Sequence, residues 1–368
     1  MQIDPKQDPM FVPYSWRGRP SELPRVLEAV SWMRDIPDTC YLALWQRYPS
    51  MEGWNLPQGY DTYIVTFHLE PVDLDWVDEQ ARRVGDAQMI ILFDGEFYTW
   101  PHADNVHCFS YLYWHEQLKK IVEWFPRPAK LPLRTHFAST FCSRITQSKL
   151  LAFTALAEYI GTDRCFLVLR DWLEEKNVHW RQHTGNVTID AISDVFWEKY
   201  WGRTFTIDEY DESMNFQVFT GDPWHFSLQQ VALHFTSETY HYSHMVDQRG
   251  DHIRPGPFLT EKTLRCLAGG TAFVPVGQFD TYGRLSRLGL RFDYGFDTAW
   301  DQDPGNLSRM VAIIKLIQDL ARYSIDDVMN MTQHSTMHND EHIRSGAFYR
   351  VCQAHNQPVI DQILHLVK

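Results

Sequence analysis

The sequence predicts an α/β protein made of two parallel-sheet domains, and three features carry that expectation. Short apolar, β-branched runs alternate with helical stretches along most of the chain. At 368 residues it exceeds what a single core of about 100–200 residues serves. The segment "PRPAKLPLR" (126–134), with three prolines in nine residues, suits neither a helix interior nor a central strand and therefore reads as a linker. The expected domains are 1–130 and 131–330, facing each other across a ligand cleft, with C-terminal helices over 331–368 placed to pack back on the first.

Each element has its own signal. "DTYIVTFHLE" (61–70) alternates and is β-branched, "DWVDEQARRVG" (75–85) has helical periodicity, and "AQMIILFDGE" (87–96) is a short, wholly apolar strand. Together they form a β-α-β unit. "VHCFSYLYW" (106–114) continues as a strand and "HEQLKKIVEWF" as a helix. Beyond the prolines, "QSKLLAFTALAEYIG" reads as a helix, "CFLVLRD" as a strand, "AISDVFWEKYWG" as a helix and "QQVALHFTSE" as a strand. A helix over 260–269, the strand "TAFVPVG", the helix "YGRLSRLG", a long helix over about 306–322 and two further helices complete the chain. In open sheets of this kind ligands bind beyond the strand C-termini, beside helix N-termini.

Composition narrows the function. With 44% hydrophobic residues and 14 Trp the chain can bury a large core, which excludes extended disorder. The N-terminal stretch lacks the basic flank and apolar core of a signal peptide, and no apolar run approaches the ~18 residues of a bilayer span. A soluble, cytoplasmic protein is expected. Six cysteines without a CxxC pair suit reduced core thiols better than disulfides or zinc.

The net charge of −13 repels polyanions. Residues 119–149 oppose it, with seven Lys or Arg against one Glu. A solvated basic face is the plain explanation of such a run. Because this one brackets the linker, Lys130, Arg134 and His136 are candidates for acceptor binding, with Trp124, Phe125 and Phe141 interleaved.

"FLTEKTLRCLAGG" holds the clearest chemistry. Thr260 suits an N-cap, and the helix it opens presents free N–H groups and a positive dipole end, where anions bind. A lysine in a first turn opposes the dipole, so Lys262 wants a negative neighbour. Its neighbour Glu261 points about 100° away. A bound diphosphate for Lys262 and sugar hydroxyls for Glu261 satisfy both; a capped surface helix with two solvated charges is the plain alternative. Arg249 and Arg254, in the Gly/Pro loop "DQRGDHIRPGP" just before, could grip phosphate oxygens bidentately or form a salt-bridged loop. Glu238 ends a strand, at a position where ligands bind.

The segment "ALHFTSETYHYSHMVDQRGDHIRPGPFLTEKTLRCLAGGTAFVPVG" resembles the donor-binding segment of the α-1,3-fucosyltransferase-like glycosyltransferases, a family with bacterial and phage members. The likeness continues through "RLSRLGLRFDYGFDTAWDQDPGNLSRM", with Asp297, Trp300, Asp301 and Arg309, and covers roughly residues 230–345. It implies the GT-B fold, two Rossmann-like domains with the nucleotide-sugar held mainly by the second. It also implies that Glu261 contacts donor ribose or sugar, and that Lys262 and Arg144 of "FCSRITQSK" contact the diphosphate. Phe258 stands where the family has a tyrosine, so the resemblance does not extend to GDP-fucose as donor.

Inverting sugar transfer needs a base for the acceptor hydroxyl and positive charge for the leaving diphosphate. "IILFDGEFYTW" offers Asp94 and Glu96 after a strand. The family carries a Gly-Glu pair there as its base, which implies Glu96, with Asp94 next. No Asp-x-Asp motif appears, and fixed cations can replace a metal. His334, His338 and His342 share a helical spacing but lack the companions of a zinc site. The expectation is therefore a metal-independent, inverting glycosyltransferase with no cofactor beyond its nucleoside-diphosphate sugar. Its acceptor is either a glycan or a hydroxymethylated DNA base of the phage type. The rival is a catalytically silent nucleotide-sugar or nucleic-acid binding protein. Oligomeric state is not encoded legibly.

Overall fold

The computed structural model describes residues 16–22, 28–45, 54–67, 72, 74–93, 97–99, 103–112, 118–119, 121–123, 125–142, 146–169, 184–205, 226–237, 245–246, 252–255, 257, 259 and 261–368. The chain divides into two compact units. Unit 1 comprises Met1–Lys120, His244–Phe258 and Tyr349–Lys368; unit 2 comprises Ile121–Ser243 and Leu259–Phe348.

Unit 1 contains β1 (Trp16–Gly18), a 3-10 helix (Glu28–Asp35), β2 (Cys40–Trp45), β3 (Thr62–Phe67), α1 (Leu74–Val84), β4 (Gln88–Phe93), β5 (Phe97–Thr99) and β6 (Val106–Ser110). Its main sheet runs β1-β2-β3-β4-β6, parallel except for β1 at the edge. "TYIVTF" and "QMIILF" are apolar throughout because both faces of these strands are covered. On one face Tyr63, Val65, Phe67, Met89 and Ile91 pack under Trp76, Val77 and Ala81 of α1. On the other, Leu42, Leu44, Ile64, Ile90 and Leu92 pack under Met33, Ile36 and Ile363.

Unit 2 contains β7 (His136–Cys142), α2 (Gln147–Ala155), β8 (Cys165–Leu169), α3 (Val187–Val195), the short α4 (Phe226–Gln229) and β9 (Val231–Ser237). Between β9 and the rest of unit 2 the chain gives unit 1 two strands, β10 (Met245–Val246) and β11 (His252–Pro255). They form a small sheet in the order β10-β11-β5. Unit 2 resumes with α5 (Glu261–Ala268), β12 (Ala272–Val276), α6 (Thr281–Arg287), α7 (Asn306–Leu320) and α8 (Ile325–Arg344). The last helix, α9 (Ala347–Leu366), carries the chain back into unit 1. There Asn356 clamps Leu112, accepting its N–H at 2.9 Å and donating to its carbonyl at 3.1 Å.

The helix starts follow local chemistry. Asn186 caps α3 by accepting from Thr188 and Ile189 N–H, and Ser324 with Asp327 forms a capping box on α8. The strands expected from the sequence are present. β1, β2, β5, β7, β10 and β11 are further elements, most of them too short for a periodic signal.

The unit 2 sheet is wholly parallel, in the order β12-β9-β7-β8. From β7 the chain moves one way to β8, then returns to add β9 and β12 on the other side. Right-handed crossovers therefore put α2 on one face and α5 on the other. Cys142 Sγ reaches the Lys149 carbonyl of α2 at 3.6 Å, while Thr236 Oγ1 meets Cys266 Sγ of α5 at 3.7 Å. The reversal between β7 and β9 is the switch point at which open sheets bind ligands.

Candidate functional site

The carboxyl edge of the unit 2 sheet gathers the ends of β7, β9 and β12, and with them the starts of α2, α5 and α6, because each helix runs back against its strand. The start of α6 is occupied by a side chain. Asp301 Oδ2 accepts the Tyr282 and Gly283 N–H groups of α6 at 2.9 and 3.3 Å. Gln302 Nε2 donates both to this oxygen and to Asp280, whose other oxygen pairs with Arg287 at 2.9 Å. Asp280 takes a left-handed φ of 62°, and a Cβ on Gly283 would fall 1.8 Å from its Oδ1, so only glycine fits there. Burial pushes Asp301 up to about 6, against the pull of the two amides.

Arg309, fully buried, brackets this corner. It donates to the carbonyls of Gly277 and Asp303 at 3.1 and 2.7 Å and to Asn306 Oδ1 at 3.2 Å. Loss of solvent lowers its pKa to about 10. It ties the end of β12 to the start of α7.

The start of α2 is different. Its N-cap Thr146 is extended and makes no side-chain capping bond; its hydroxyl lies 3.2 Å from Ser148 Oγ instead. Lys149, in the first turn, is only 6% exposed. Its charge acts on Cys142, whose thiol burial nonetheless pushes up to about 12. The β7–β9 pairing runs to Thr140 opposite Phe235, two residues before Cys142 on one strand and Ser237 on the other. Ser237 is 2% exposed, and its hydroxyl has no hydrogen-bond partner among the described residues. An orphaned buried hydroxyl costs about 1–3 kcal/mol and calls for an explanation. Here it shares the carboxyl edge of the sheet with a buried lysine and the start of a helix whose N-cap side chain makes no capping bond.

α5 starts at the same edge, and Lys262 in its first turn is partly buried. Thr260 and Phe258 lie outside the described residues, as do Asp94, Glu96, Arg144, Glu238, Arg249 and Trp124. Glu261 opens α5. Arg254 lies on β11, in unit 1.

The proposed acceptor cations do not join this site. Arg134 donates to the Leu228 carbonyl at 2.6 Å, and burial lowers its pKa to about 10. His136 stacks on Phe166 at 3.7 Å, and burial lowers its pKa as well. Both stand at the amino end of β7, and its six residue steps separate them from Cys142 by about 20 Å at the usual strand rise. Lys130 is exposed in the segment before β7. Phe141 is buried against His234. Arg134 and His136 thus have structural work that accounts for them.

His338 and His342 meet the carbonyls of Gly289 and Leu288, each at 3.0 Å, which closes the turn after α6. Among the described residues no group of three or more His, Cys, Asp or Glu is arranged to hold a metal ion, and no helix is long and apolar enough to cross a membrane. Sequence reasoning did not single out Lys149 or Ser237, both of which lie at this edge. Lys149 carries the same signal as Lys262, a lysine against the dipole of a helix that follows a strand. The chain matches no protein-family model, no curated protein and no solved structure.

Proposed function

We propose that the chain is a metal-independent, inverting glycosyltransferase of GT-B architecture that takes its sugar from a nucleoside diphosphate. What supports this reading is the carboxyl edge of the unit 2 sheet, which holds buried Lys149, an α2 start without a side-chain cap, and a buried Ser237 hydroxyl with no partner among the described residues. Lys262 at the start of α5 adds a second cation to the same edge. Two lysines and two helix N-termini are suited to a diphosphate, and they stabilise it most as it gains charge on leaving.

In the proposed reaction Glu96, or failing it Asp94, takes the proton of an acceptor hydroxyl. The hydroxyl oxygen forms its bond to the anomeric carbon from the side opposite the diphosphate. The carbon–oxygen bond to the diphosphate breaks, and its electron pair leaves with the nucleotide. The acceptor is a glycan or a hydroxymethylated DNA base.

A thermal-shift panel of UDP, GDP, CDP and dTDP tests the site, because a ligand selective for the folded state raises Tm. One nucleotide is expected to shift Tm, and Glu96→Gln is expected to keep that shift while donor turnover falls. If none of the four shifts Tm, the reading fails. A shift without turnover of any sugar nucleotide favours a silent binding protein.

A further inference from the structure

The stretch "FWEKYW" (196–201) holds four aromatic residues, and the structure divides them between two sides. α3 runs on into a π-helical turn over Phe196–Tyr200. Phe196 and Tyr200 face inward. Phe196 is fully buried, and Tyr200 packs on Phe153 and Phe205 with ring centroids 5.5 and 5.7 Å away. Trp197 and Trp201, also four positions apart, take the outer side, their rings 4.2 Å apart and tilted by 42°. Trp201 is 39% exposed, and among the described residues it is the one tryptophan that is exposed.

The backbone under this pair is fixed. Trp201 N–H donates to the Phe196 carbonyl at 2.9 Å and Arg203 N–H to the Tyr200 carbonyl at 3.1 Å, with Gly202 between them at a left-handed φ of 69°. Glu158, in the turn that follows α2, accepts from Lys199 Nζ and from the Tyr200 hydroxyl, each at 2.6 Å. A surface held in this way binds without first being ordered. The charges beside it select the occupant. Lys199 is paired with Glu158, and exposed Arg203 is matched in sign by exposed Glu198, so residues 196–203 and their ion-pair partner carry no net charge. Such a rim favours neither a phosphate chain nor a charged peptide.

A neutral ligand with an apolar face and hydroxyls at its edge meets both halves of this arrangement. The face of an indole is electron-rich and attracts the C–H groups on the flat side of a pyranose ring, while the sugar hydroxyls bond to charged groups at the rim. We propose that Trp197 and Trp201 form a stacking platform for the sugar rings of a neutral glycan. The platform is distinct from the diphosphate site, because Thr146 at the start of α2 and Glu158 are twelve helix steps apart, about 18 Å at the helical rise. It stands whether or not the chain transfers sugar.

The test compares wild type with Trp201→Ala and Trp201→Phe, each first shown to keep the wild-type Tm. Binding of maltopentaose, cellopentaose and chitopentaose is measured by saturation-transfer NMR and titration calorimetry, and binding of a twenty-residue oligothymidine by fluorescence anisotropy. Wild type should bind at least one of the three oligosaccharides. Trp201→Ala should weaken that binding at least tenfold, and Trp201→Phe, which keeps a ring, should weaken it less. If wild type binds none of the three, or if Trp201→Ala binds as wild type does, the proposal is overturned. Oligothymidine binding that disappears in Trp201→Ala, without oligosaccharide binding, assigns the pair to nucleic acid. Self-association in sedimentation that disappears in the same variant, again without oligosaccharide binding, assigns it to a second copy of the chain. Either result also overturns the proposal.

Discussion

Lys149→Met is the sharpest probe of the switch-point site. The substitution keeps a long unbranched stem in the first turn of α2 and removes the charge that acts on Cys142. A hydrogen bond to a charged group contributes about 1.5–3 kcal/mol, which corresponds to roughly 10- to 150-fold in Kd. At a ligand concentration of 100 wild-type Kd the bound nucleotide stabilises the fold by about 2.7 kcal/mol. After that loss of affinity the same concentration stabilises the variant by only about 0.3–1.3 kcal/mol. With about 2–4 °C per kcal/mol in domains of this size, the Tm shift should fall to less than half. The assay is thermal unfolding with the nucleotide that shifts wild type, titrated over two decades. Lys130→Ala, exposed at the amino side of β7, should leave the shift intact. Equal shifts in wild type and Lys149→Met at every concentration would refute the reasoning, because a buried cation at the diphosphate cannot be indifferent to it.

Three further outcomes follow from the same geometry. Ser237→Ala removes an unpartnered buried hydroxyl, so the ligand-free protein should gain up to about 1 kcal/mol in urea unfolding while nucleotide affinity falls; a loss of ligand-free stability would show that the hydroxyl has a partner. Asp301 holds its proton more tightly in the folded state than in the unfolded chain, since burial raises it to about 6. Its contribution therefore favours folding below pH 4 and declines as pH rises from 4 to 6, by about 3 kcal/mol in all. Asp301→Asn should flatten the stability profile in that window, and parallel profiles would contradict the assignment. Asn356→Ala strands the buried Leu112 N–H and carbonyl, at a cost of roughly 2–4 kcal/mol, measurable as a lower urea midpoint; an unchanged midpoint would deny the clamp.

The sheets were legible because strands covered on both faces are apolar without interruption, as in "QMIILF", and because helices such as α8 begin with their own caps. β5, β10 and β11 were not, since two to four residues carry no period and β5 pairs with β11 about 155 positions away in the chain. The site was half legible. Lys262 stands out through the dipole it opposes, and Lys149 obeys the same rule within a stretch that sequence reading treated as a general basic face. Charge counting cannot tell the amino end of a strand from its carboxyl end. Arg134 and His136, which the sequence reading takes as acceptor-binding beside the linker, stand at the amino end of β7. Ser237 has no sequence signal at all; only burial without a partner reveals it.

The two sheets differ in one respect that explains the path of the chain. In unit 2 the strand order reverses, so crossovers cover both faces. In unit 1, β2, β3, β4 and β6 advance in one direction, and right-handed crossovers then all fall on one face, the face that holds Leu56 and α1. The opposite face is just as apolar, and among the described residues no crossover segment packs on it. Met33 and Ile36 cover part of it, and the rest is closed by α9 from the far end of the chain, with Ile363 fully buried against Ile64 and Ile90. The return of the C-terminal helix is thus a consequence of strand order. Ile363→Ala should cost about 2–5 kcal/mol, and the loss should be local. Amide hydrogen exchange in β2, β3 and β4 should accelerate, while α2 and β9 of unit 2 keep their protection. Uniform acceleration across both units would mean that they unfold as one cooperative body, and unchanged exchange in β3 would mean that α9 is not what covers the sheet.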